Sequence, residues 1–465
     1  MERSNEHVAL KVFKSQLKIL NANPSDKKSV LEFEGKLQSA GFVDYVDNLS
    51  KEKRDLIYGS PVRYFIPWRP VYKQDSVSTP CRLAFDASMS SKGASSLSSL
   101  LAKGSNSLNN LQSITIRWST HLHAFHTDVQ KMYNRVLLDD EHWCYQLYLF
   151  SEGLNLGEDP VWKVIKTIIY GVKPSGQLAQ CGLRRTAELC KEEYPLAYKP
   201  IMEDTYMDDC ASGTESTEKS NKVMDEIQAT VSKGGFSLKG FTTSGSPPPK
   251  HLTQDGESIS VLGYKWFPEG DFFKFNIGEL NFSPKKRGRK AIDNYGIIPD
   301  ILTLTNCVSR SSEIFDSLGR AAPIVGGLKA DISILHKYCV GWGDPIPSEL
   351  KELWISNFQT ISDLANVEFQ RAVIPPDALN LDVETIDLAD AGESLVCSAI
   401  YARFLRRDGS YSCQLIFART KVIHDHTAPR GELAAAVLNA STSHFVKTSL
   451  GERCTKEAGT SLTVR

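Results

Sequence analysis

Two adjacent carboxylates, Asp208 and Asp209, are the residues of this sequence whose types and spacing most clearly suggest chemistry. They follow Tyr206-Met207 and precede the small residues 210–213, a composition typical of a tight turn. Neighbouring negative charges repel each other, and a divalent cation that prefers hard oxygen ligands, Mg²⁺ or Mn²⁺, makes such a pair tolerable. Taken alone, these four residues also fit an ordinary acidic turn.

A third carboxylate, Asp128, gives the pair a partner. Nucleotidyl transfer uses two metal ions about 3.5–4 Å apart, and these need carboxylates from at least two chain segments. Residues 126–130 predict a strand that carries Asp128 and leads to the aromatic Tyr133. The helix and strand patterns between Asp128 and Asp208 are enough to join two strands in one sheet. We therefore expect the three carboxylates to converge at adjacent strand ends.

The elements that must position these residues follow from apolar periodicity and turn signals. Residues 1–60 predict helices with little chemistry of their own. The further patterns predict strands at 81–86, 261–266, 395–404 and 411–422, helices at 176–190 and 221–231, a mainly helical stretch at 301–366, and a helix that begins after 427–430. Strands and helices are therefore mixed along the chain, which predicts an α+β protein.

Composition limits the class of protein. The 465 residues predict about two to four domains. Net charge is −1, which argues weakly against general nucleic-acid affinity, but residues 285–290 contain five cations in six positions. This basic cluster fits duplex phosphates, a solvated linker or a nuclear-import run equally well.

Cysteine usage and hydropathy indicate an intracellular protein without a membrane segment. None of the ten cysteines forms a CxxC pair, so neither a zinc module nor a redox motif is indicated. No run approaches the ~18 apolar residues of a membrane span, and the first 17 residues lack an apolar signal core.

Two histidine groups have the residue types of a metal site. His121 and His123 fall on one face of an extended segment and His126 on the other, so the three make a poor site. The stretch His424-Asp425-His426 precedes Glu432 in a loop. For both groups, solvent exposure is the stronger interpretation and zinc the weaker one.

Six blocks in this order carry a family resemblance: RLAFDAS (82–88), DVQKMY (128–133), YGVKPS (170–175), YMDD (206–209), GFSLK (235–239) and LGYKW (262–266). Together they resemble the reverse transcriptase of BEL/Pao-type LTR retrotransposons. FDSLG (315–319) and GWGDPIP (341–347) look like the Pao-specific connecting region. The resemblance extends from about residue 60 to the carboxyl terminus.

The resemblance implies a right-hand polymerase followed by an incomplete ribonuclease H-like α/β segment. The expected order is a helical lead-in (1–60), fingers and palm (61–270), a thumb and Pao-type connecting region (271–375), and the nuclease-like segment (376–465).

The resemblance also implies roles for individual residues. Asp128, Asp208 and Asp209 would hold two Mg²⁺ or Mn²⁺ ions. The implied nucleotide-site residues are Lys73 and Arg82 on the triphosphate, Tyr133 under the sugar, Lys173 on the template side, Met207 in the turn, and Lys239 as proton donor to pyrophosphate. Tyr264 and Trp266 would grip the primer. The alternatives are solvated cations for Lys73, Arg82 and Lys239, a core aromatic for Tyr133, and an apolar packed strand for Tyr264 and Trp266.

The last segment is similar to the start of a retroelement ribonuclease H. Asp390 and Glu432 would be its first two metal carboxylates, with Asp387 as a weaker alternative to Asp390. That family pattern needs another aspartate on the next strand, and no aspartate follows Glu432. We therefore expect no competent ribonuclease H from this chain alone.

The implied function is an RNA-directed DNA polymerase that acts on RNA and DNA template-primers with dNTPs. The alternative is a decayed or domesticated fragment that binds nucleic acid without catalysis. No protease or integrase motif is present, so the chain is expected to be part of a longer polyprotein with those partners. The expected location is cytoplasmic particles, with the nucleus as a second location.

Overall fold

The computed structural model describes residues 4–72, 80–283, 295–424 and 427–462. The chain divides into two compact units. Unit 1 comprises residues 1–108, 128–202 and 223–240, and unit 2 comprises residues 109–127, 203–222 and 241–465. Lys73 and the basic cluster 285–290 lie outside the described residues, as do Asp425 and His426.

Helices and strands are mixed throughout, as the α+β prediction requires. The helices of the described residues are α1 (Glu6–Ala22), α2 (Pro24–Ser39), α3 (Lys51–Gly59), α4 (Leu97–Leu100), α5 (Leu111–Ser119), α6 (Ser175–Cys190), α7 (Pro195–Glu203), α8 (Thr217–Lys233), α9 (Leu304–Ser311), α10 (Ala322–Leu335), α11 (Lys351–Asp363) and α12 (Ala428–Leu450). Among them, no helix combines the length and apolarity needed to cross a membrane.

The strands of the described residues form five sheets. They are β1 (Val43–Tyr45), β2 (Trp68–Tyr72), β3 (Cys81–Phe85), β4 (His123–Val129), β5 (Leu147–Phe150), β6 (Val161–Ile165), β7 (Thr205–Tyr206), β8 (Asp209–Thr214), β9 (Leu238–Thr243), β10 (Ile259–Val261), β11 (Tyr264–Phe267), β12 (Phe272–Phe275), β13 (Glu368–Gln370), β14 (Val383–Ala391), β15 (Leu395–Leu405), β16 (Tyr411–Val422) and β17 (Cys454–Leu462).

Unit 1 is built around one apolar core. The sheet β1-β6-β5 and the hairpin β2-β3 contribute to it, and α1 buries Phe13 and Leu17 in the same core as Phe65 and Trp68. The amino-terminal helices are therefore an integral part of this unit, because their apolar stripes are buried against its strands.

Unit 2 contains two four-stranded sheets with the orders β10-β11-β12-β13 and β16-β15-β14-β17. In the second sheet, β16 and β14 each run antiparallel to β15, and β17 runs parallel to β14. Helix α12 packs on β14 and β15. Strands β7 and β8, with residues 123–127 of β4, also belong to this unit.

One strand prediction was wrong in detail. The stretch 261–266 is the end of β10, a turn and the start of β11. Leu262 and Gly263 have φ angles of +48° and +91°, which a continuous strand does not allow. Glycine supplies such a conformation at little steric cost, and this explains the turn.

Candidate active site

The two adjacent aspartates lie on a two-residue β-hairpin. Thr205 pairs with Cys210 and Tyr206 pairs with Asp209, so Met207 and Asp208 are the central residues of the turn. Met207 has a φ of +55°, in the region that two-residue hairpins require and that glycine normally occupies. A side chain in this conformation stores strain that the surrounding structure must hold.

Buried polar contacts fix the base of this hairpin. Asp204, 5% exposed, accepts a hydrogen bond of 2.7 Å from Nε of Arg117 and another of 2.7 Å from the Ser212 hydroxyl. The Arg117 guanidinium also donates to the carbonyl oxygen of Glu203 at 2.5 Å, and the Asn109 amide donates to that of Thr205 at 2.9 Å. These contacts tie α5 and its lead-in to β7 and β8. No local sequence pattern indicates that Arg117 and Asp204, 87 positions apart, form a pair.

Small residues let β8 pack tightly behind the turn. A Cβ atom on Gly213 would lie 2.4 Å from the carbonyl oxygen of His123 on β4, so only glycine fits there. Burial raises the pKa of the Cys210 thiol to about 12, and the nearby carboxylates of Asp204 and Asp209 contribute in the same direction. Cys210 is therefore a neutral core residue.

His126 is the direct neighbour of the carboxylate pair. Its Nε2 atom lies 3.1 Å from Oδ1 of Asp209, and the Asp209 side chain is 33% exposed. The prediction that the histidine group is solvent-exposed was wrong for His121 and His126, which are 8% and 7% exposed. The Arg453 guanidinium lies 3.1 Å from Nδ1 of His121, and Asp209 contacts His126 as described above.

Asp128 belongs to unit 1, whereas Asp208 and Asp209 belong to unit 2. Within unit 1, Lys239 Nζ donates to Oδ2 of Asp128 at 2.8 Å. This pair brings together two residues that the sequence analysis selected for different roles. The side chains are 21% and 32% exposed, so the pair is accessible to solvent.

Three of the motif blocks meet elsewhere in unit 1. The rings of Tyr133 and Tyr170 have centroids 4.1 Å apart. Next to Tyr170, Gly171 has a φ of +91°, and a Cβ atom there would lie 1.9 Å from the carbonyl oxygen of Phe85. The glycine is thus required where the 170–175 block passes the end of β3.

Two cations selected for the nucleotide site are exposed. Arg82 lies on β3 opposite Val71, and Lys173 follows the 170–171 contact. Both side chains are free to meet solvent or a ligand.

The predicted primer grip needs correction. Tyr264 and Trp266 are both 0% exposed, so neither side chain is available to a primer. Tyr264 donates to Asp316 at 2.8 Å and accepts from the backbone N–H of Leu318 at 2.9 Å, and burial raises its pKa. The two aromatics pack in the core of unit 2, which is the alternative that the sequence left open. The FDSLG block thereby anchors the LGYKW hairpin.

A buried arginine that the sequence analysis missed supports the same core. Arg371 is 0% exposed and donates to the carbonyl oxygens of Trp118 at 2.5 Å and His121 at 2.9 Å. It also forms a two-point contact with Asp271, at 2.7 and 2.6 Å. Trp266 Nε1 donates to the same carboxylate at 3.0 Å. The arginine thus joins the end of α5 to the β11–β12 turn, and no local sequence pattern indicates it.

The fold brings two of the predicted nuclease carboxylates, Asp390 and Glu432, to the same apolar cluster. Asp390 and Glu432 are exposed and flank a small apolar cluster formed by Ala389, Val396 and Ala435. Asp390 follows Ala389 on β14, and Glu432 lies one helical turn before Ala435 on α12. Both carboxylates are thus near the same end of α12.

Asp387 does not share this site. It is 4% exposed and accepts from the Ser443 hydroxyl at 2.5 Å, with Lys447 Nζ at 3.6 Å. Ser443 lies eleven residues beyond Glu432 on α12, about 16 Å along the helix. The weaker alternative for the first nuclease carboxylate was therefore wrong.

The carboxylate oxygens of Asp208 and Asp209 are the type of ligand that a hard divalent cation prefers. Within the described ranges, however, no group of three or more His, Cys, Asp or Glu side chains is arranged to hold a metal ion.

Comparison with known proteins finds a family match for the carboxyl-terminal third of the chain. Residues 303–458 match the model of a family described as the Pao retrotransposon-like RNaseH-like domain. The match begins at the amino-terminal cap of α9 and so includes the helices assigned above to the connecting region. No curated protein matches the chain. The chain therefore carries, at residues 303–458, an RNaseH-like domain of the Pao retrotransposon type.

Proposed function

We propose that this retrotransposon-related protein is an RNA-directed DNA polymerase with a right-hand architecture. In this proposal, the 3′-hydroxyl of a primer attacks the α-phosphate of a dNTP bound to an RNA or DNA template. The observation that carries the proposal is the hairpin turn of Met207 and Asp208. It presents two adjacent carboxylates on a conformation that folding alone does not favour.

Strain at this turn supports a functional role. A non-glycine residue at a φ of +55° costs on the order of 1–3 kcal/mol and persists only where the surroundings enforce it. Arg117, Asp204 and Asn109 supply that enforcement through the contacts at the base of the hairpin.

The third carboxylate in the proposal is Asp128. Asp128 opens the DVQKMY block, and the resemblance of that block to the polymerase family implies a metal-binding role for this carboxylate. We propose that Asp128, Asp208 and Asp209 together hold two Mg²⁺ or Mn²⁺ ions. The ions would stabilise charge on the entering and leaving oxygens.

The substrate contacts follow from chemistry and exposure. Arg82 and Lys173 are exposed cations that suit phosphate and template contacts. Tyr133 is held against Tyr170 and is proposed to exclude a 2′-hydroxyl. Lys73 and Met207 complete the proposed nucleotide site. Lys239 stays a predicted proton donor to pyrophosphate, although it donates to Asp128 in this structure.

A second candidate is nucleic-acid binding without catalysis. The ion pair between Lys239 and Asp128 favours it, because an ammonium group occupies one oxygen of a carboxylate that catalysis would need for metal. In that case the chain would bind a template-primer and leave it unextended.

The test combines binding and extension on one substrate. The chain is incubated with poly(rA)/oligo(dT), dTTP and Mg²⁺, and template-primer binding is measured in parallel by fluorescence anisotropy. The polymerase proposal expects extension that Asp208→Asn and Asp209→Asn abolish while binding persists. Asp225→Asn, on the exposed side of α8, is the matched control and should extend normally. Binding without metal-dependent extension in the wild type would establish the second candidate instead.

A further inference from the structure

A cavity of about 410 Å³ in unit 2 lies apart from all the carboxylates discussed above except Asp316. Residues of α5, α10, β16 and the segment after α9 line it. Those used below are Gln112, Asp316, Lys329 and Arg419. Its volume is within the range of about 300–1,000 Å³ typical of small-molecule sites. Neither Asp390 nor Glu432 lines it, so it is distinct from the nuclease-like carboxylates.

Arg419 on β16 lines this cavity, and neighbouring side chains fix the position of its guanidinium. Its guanidinium lies 5.0 Å from the ring centroid of Phe417 and 4.7 Å from that of Phe445. Its Nη2 atom donates to the Gln112 side chain at 3.2 Å. Burial lowers the pKa of Arg419, and within the described part of the chain no carboxylate lies within ion-pair distance. Arg419 is therefore partly desolvated without a counter-ion, which is unfavourable unless an anion binds.

The remaining charges of the lining leave the cavity positive. Lys329 on α10 is exposed and, in the described residues, forms no ion pair. The acidic residue Asp316 is already satisfied, because Oδ1 accepts from Tyr264 and from the backbone N–H of Arg320. Its Oδ2 accepts from the backbone N–H of Ala321 at 2.7 Å.

We propose that this cavity binds a phosphate group, carried either by a polynucleotide or by a free nucleotide. A planar guanidinium fixed against aromatic rings presents parallel N–H donors, and these match two phosphate oxygens at once. Lys329 adds a point charge from a second element. The Gln112 contact orients Arg419 from α5. The site does not depend on the polymerase proposal, because none of the proposed polymerase residues lines it.

The test measures binding of two probes to the full chain. A labelled single-stranded oligodeoxynucleotide is titrated by fluorescence anisotropy at several salt concentrations, and deoxyadenosine monophosphate is titrated by calorimetry. The variants are Arg419→Met and Lys329→Met. The second variant is at an exposed position and keeps the test valid if the first fails to fold. Arg407→Met and Lys337→Met, both exposed and outside the cavity, are the matched controls.

The expected result is binding about tenfold weaker in each cavity variant, with unchanged binding in the controls. If the oligonucleotide is affected, and its salt dependence falls by about one counterion, the phosphate comes from a polynucleotide. If only the mononucleotide is affected, the phosphate belongs to a free nucleotide. Unchanged binding of both probes in both cavity variants would overturn the proposal.

Discussion

Replacing Arg371 by methionine should strongly destabilise unit 2, because the substitution leaves several buried acceptors without a donor. The arginine is 0% exposed and donates to the carbonyl oxygens of Trp118 and His121 and to both oxygens of Asp271. Removing one member of a buried ion pair costs about 3–5 kcal/mol. The Asp271 side chain is 21% exposed, so water can partly compensate and the lower end, about 3 kcal/mol, is expected.

Urea denaturation followed by tryptophan fluorescence measures this loss. Trp118 and Trp266 both contact the arginine–aspartate pair, so their emission should report on this region. Arg407→Met, at an exposed turn position, is the control and should shift the midpoint little. The double variant Arg371→Met/Asp271→Asn also removes the negative charge of the Asp271 carboxylate, which the single variant leaves without its arginine. It keeps a side-chain oxygen that accepts from Trp266. It should recover part of the lost stability.

A loss below about 1 kcal/mol for Arg371→Met, equal to that of the exposed control, would refute this reasoning, because surface ion pairs contribute no more than that. Equal losses of unfolding free energy in the single and double variants would show that the Asp271 carboxylate without its arginine is not the main source of the destabilisation. The carbonyl oxygens would then dominate.

Four further results are expected. Gly171→Ala should lower the unfolding midpoint far more than Gly157→Ala: both glycines have positive φ, but only the first would place a Cβ atom 1.9 Å from a carbonyl oxygen. The Cys210 thiol, with its pKa raised to about 12, should resist Ellman's reagent at pH 8 while exposed Cys181 reacts. Since the folded thiol cannot ionise until the pH nears its own pKa, the Cys210 contribution to stability should be full below the ordinary pKa of about 8.5 and fall as the pH rises toward 12. Arg117→Lys should slow primer extension at least about tenfold with template-primer binding unchanged, since misplaced catalytic groups lose rate before affinity; equal rates would remove Arg117 from the account.

Local patterns predicted the elements well where periodicity was strong. Residues 176–190 and 411–422 form a helix and a strand with nearly the expected ends. A tight turn around Asp208 was also predicted from residue types, because its backbone hydrogen bonds are local; the structure shows that it is a two-residue hairpin. Local signals fail where two positive φ angles interrupt an apolar run, as at residues 262–263.

Long-range polar contacts could not be predicted from the sequence. Arg371 and Asp271 are one hundred positions apart, and Arg117 and Asp204 are 87 apart. No periodicity links such residues. The burial of His126 also escaped prediction, and the carboxylate that it contacts, Asp209, lies 83 positions away in the sequence.

The family blocks had structural roles that their resemblance did not predict. The FDSLG block was assigned to a connecting region, but its Asp316 holds Tyr264 of the LGYKW block. Gly319 in the same block approaches β16 so closely that a Cβ atom would lie 2.0 Å from the carbonyl oxygen of Ala418. One short motif thus joins two sheets of unit 2, Asp316 through hydrogen bonds and Gly319 through close packing.

The most direct test of the central claim is the rate of single-nucleotide incorporation under rapid quench. The wild type and the Asp208→Asn, Asp209→Asn and Asp225→Asn variants are compared at saturating template-primer. We expect a loss of at least about 100-fold for the two hairpin variants, as for other groups that stabilise transition-state charge. We expect an unchanged rate for Asp225→Asn. Equal incorporation rates in all four proteins would contradict the assignment of catalysis to this turn.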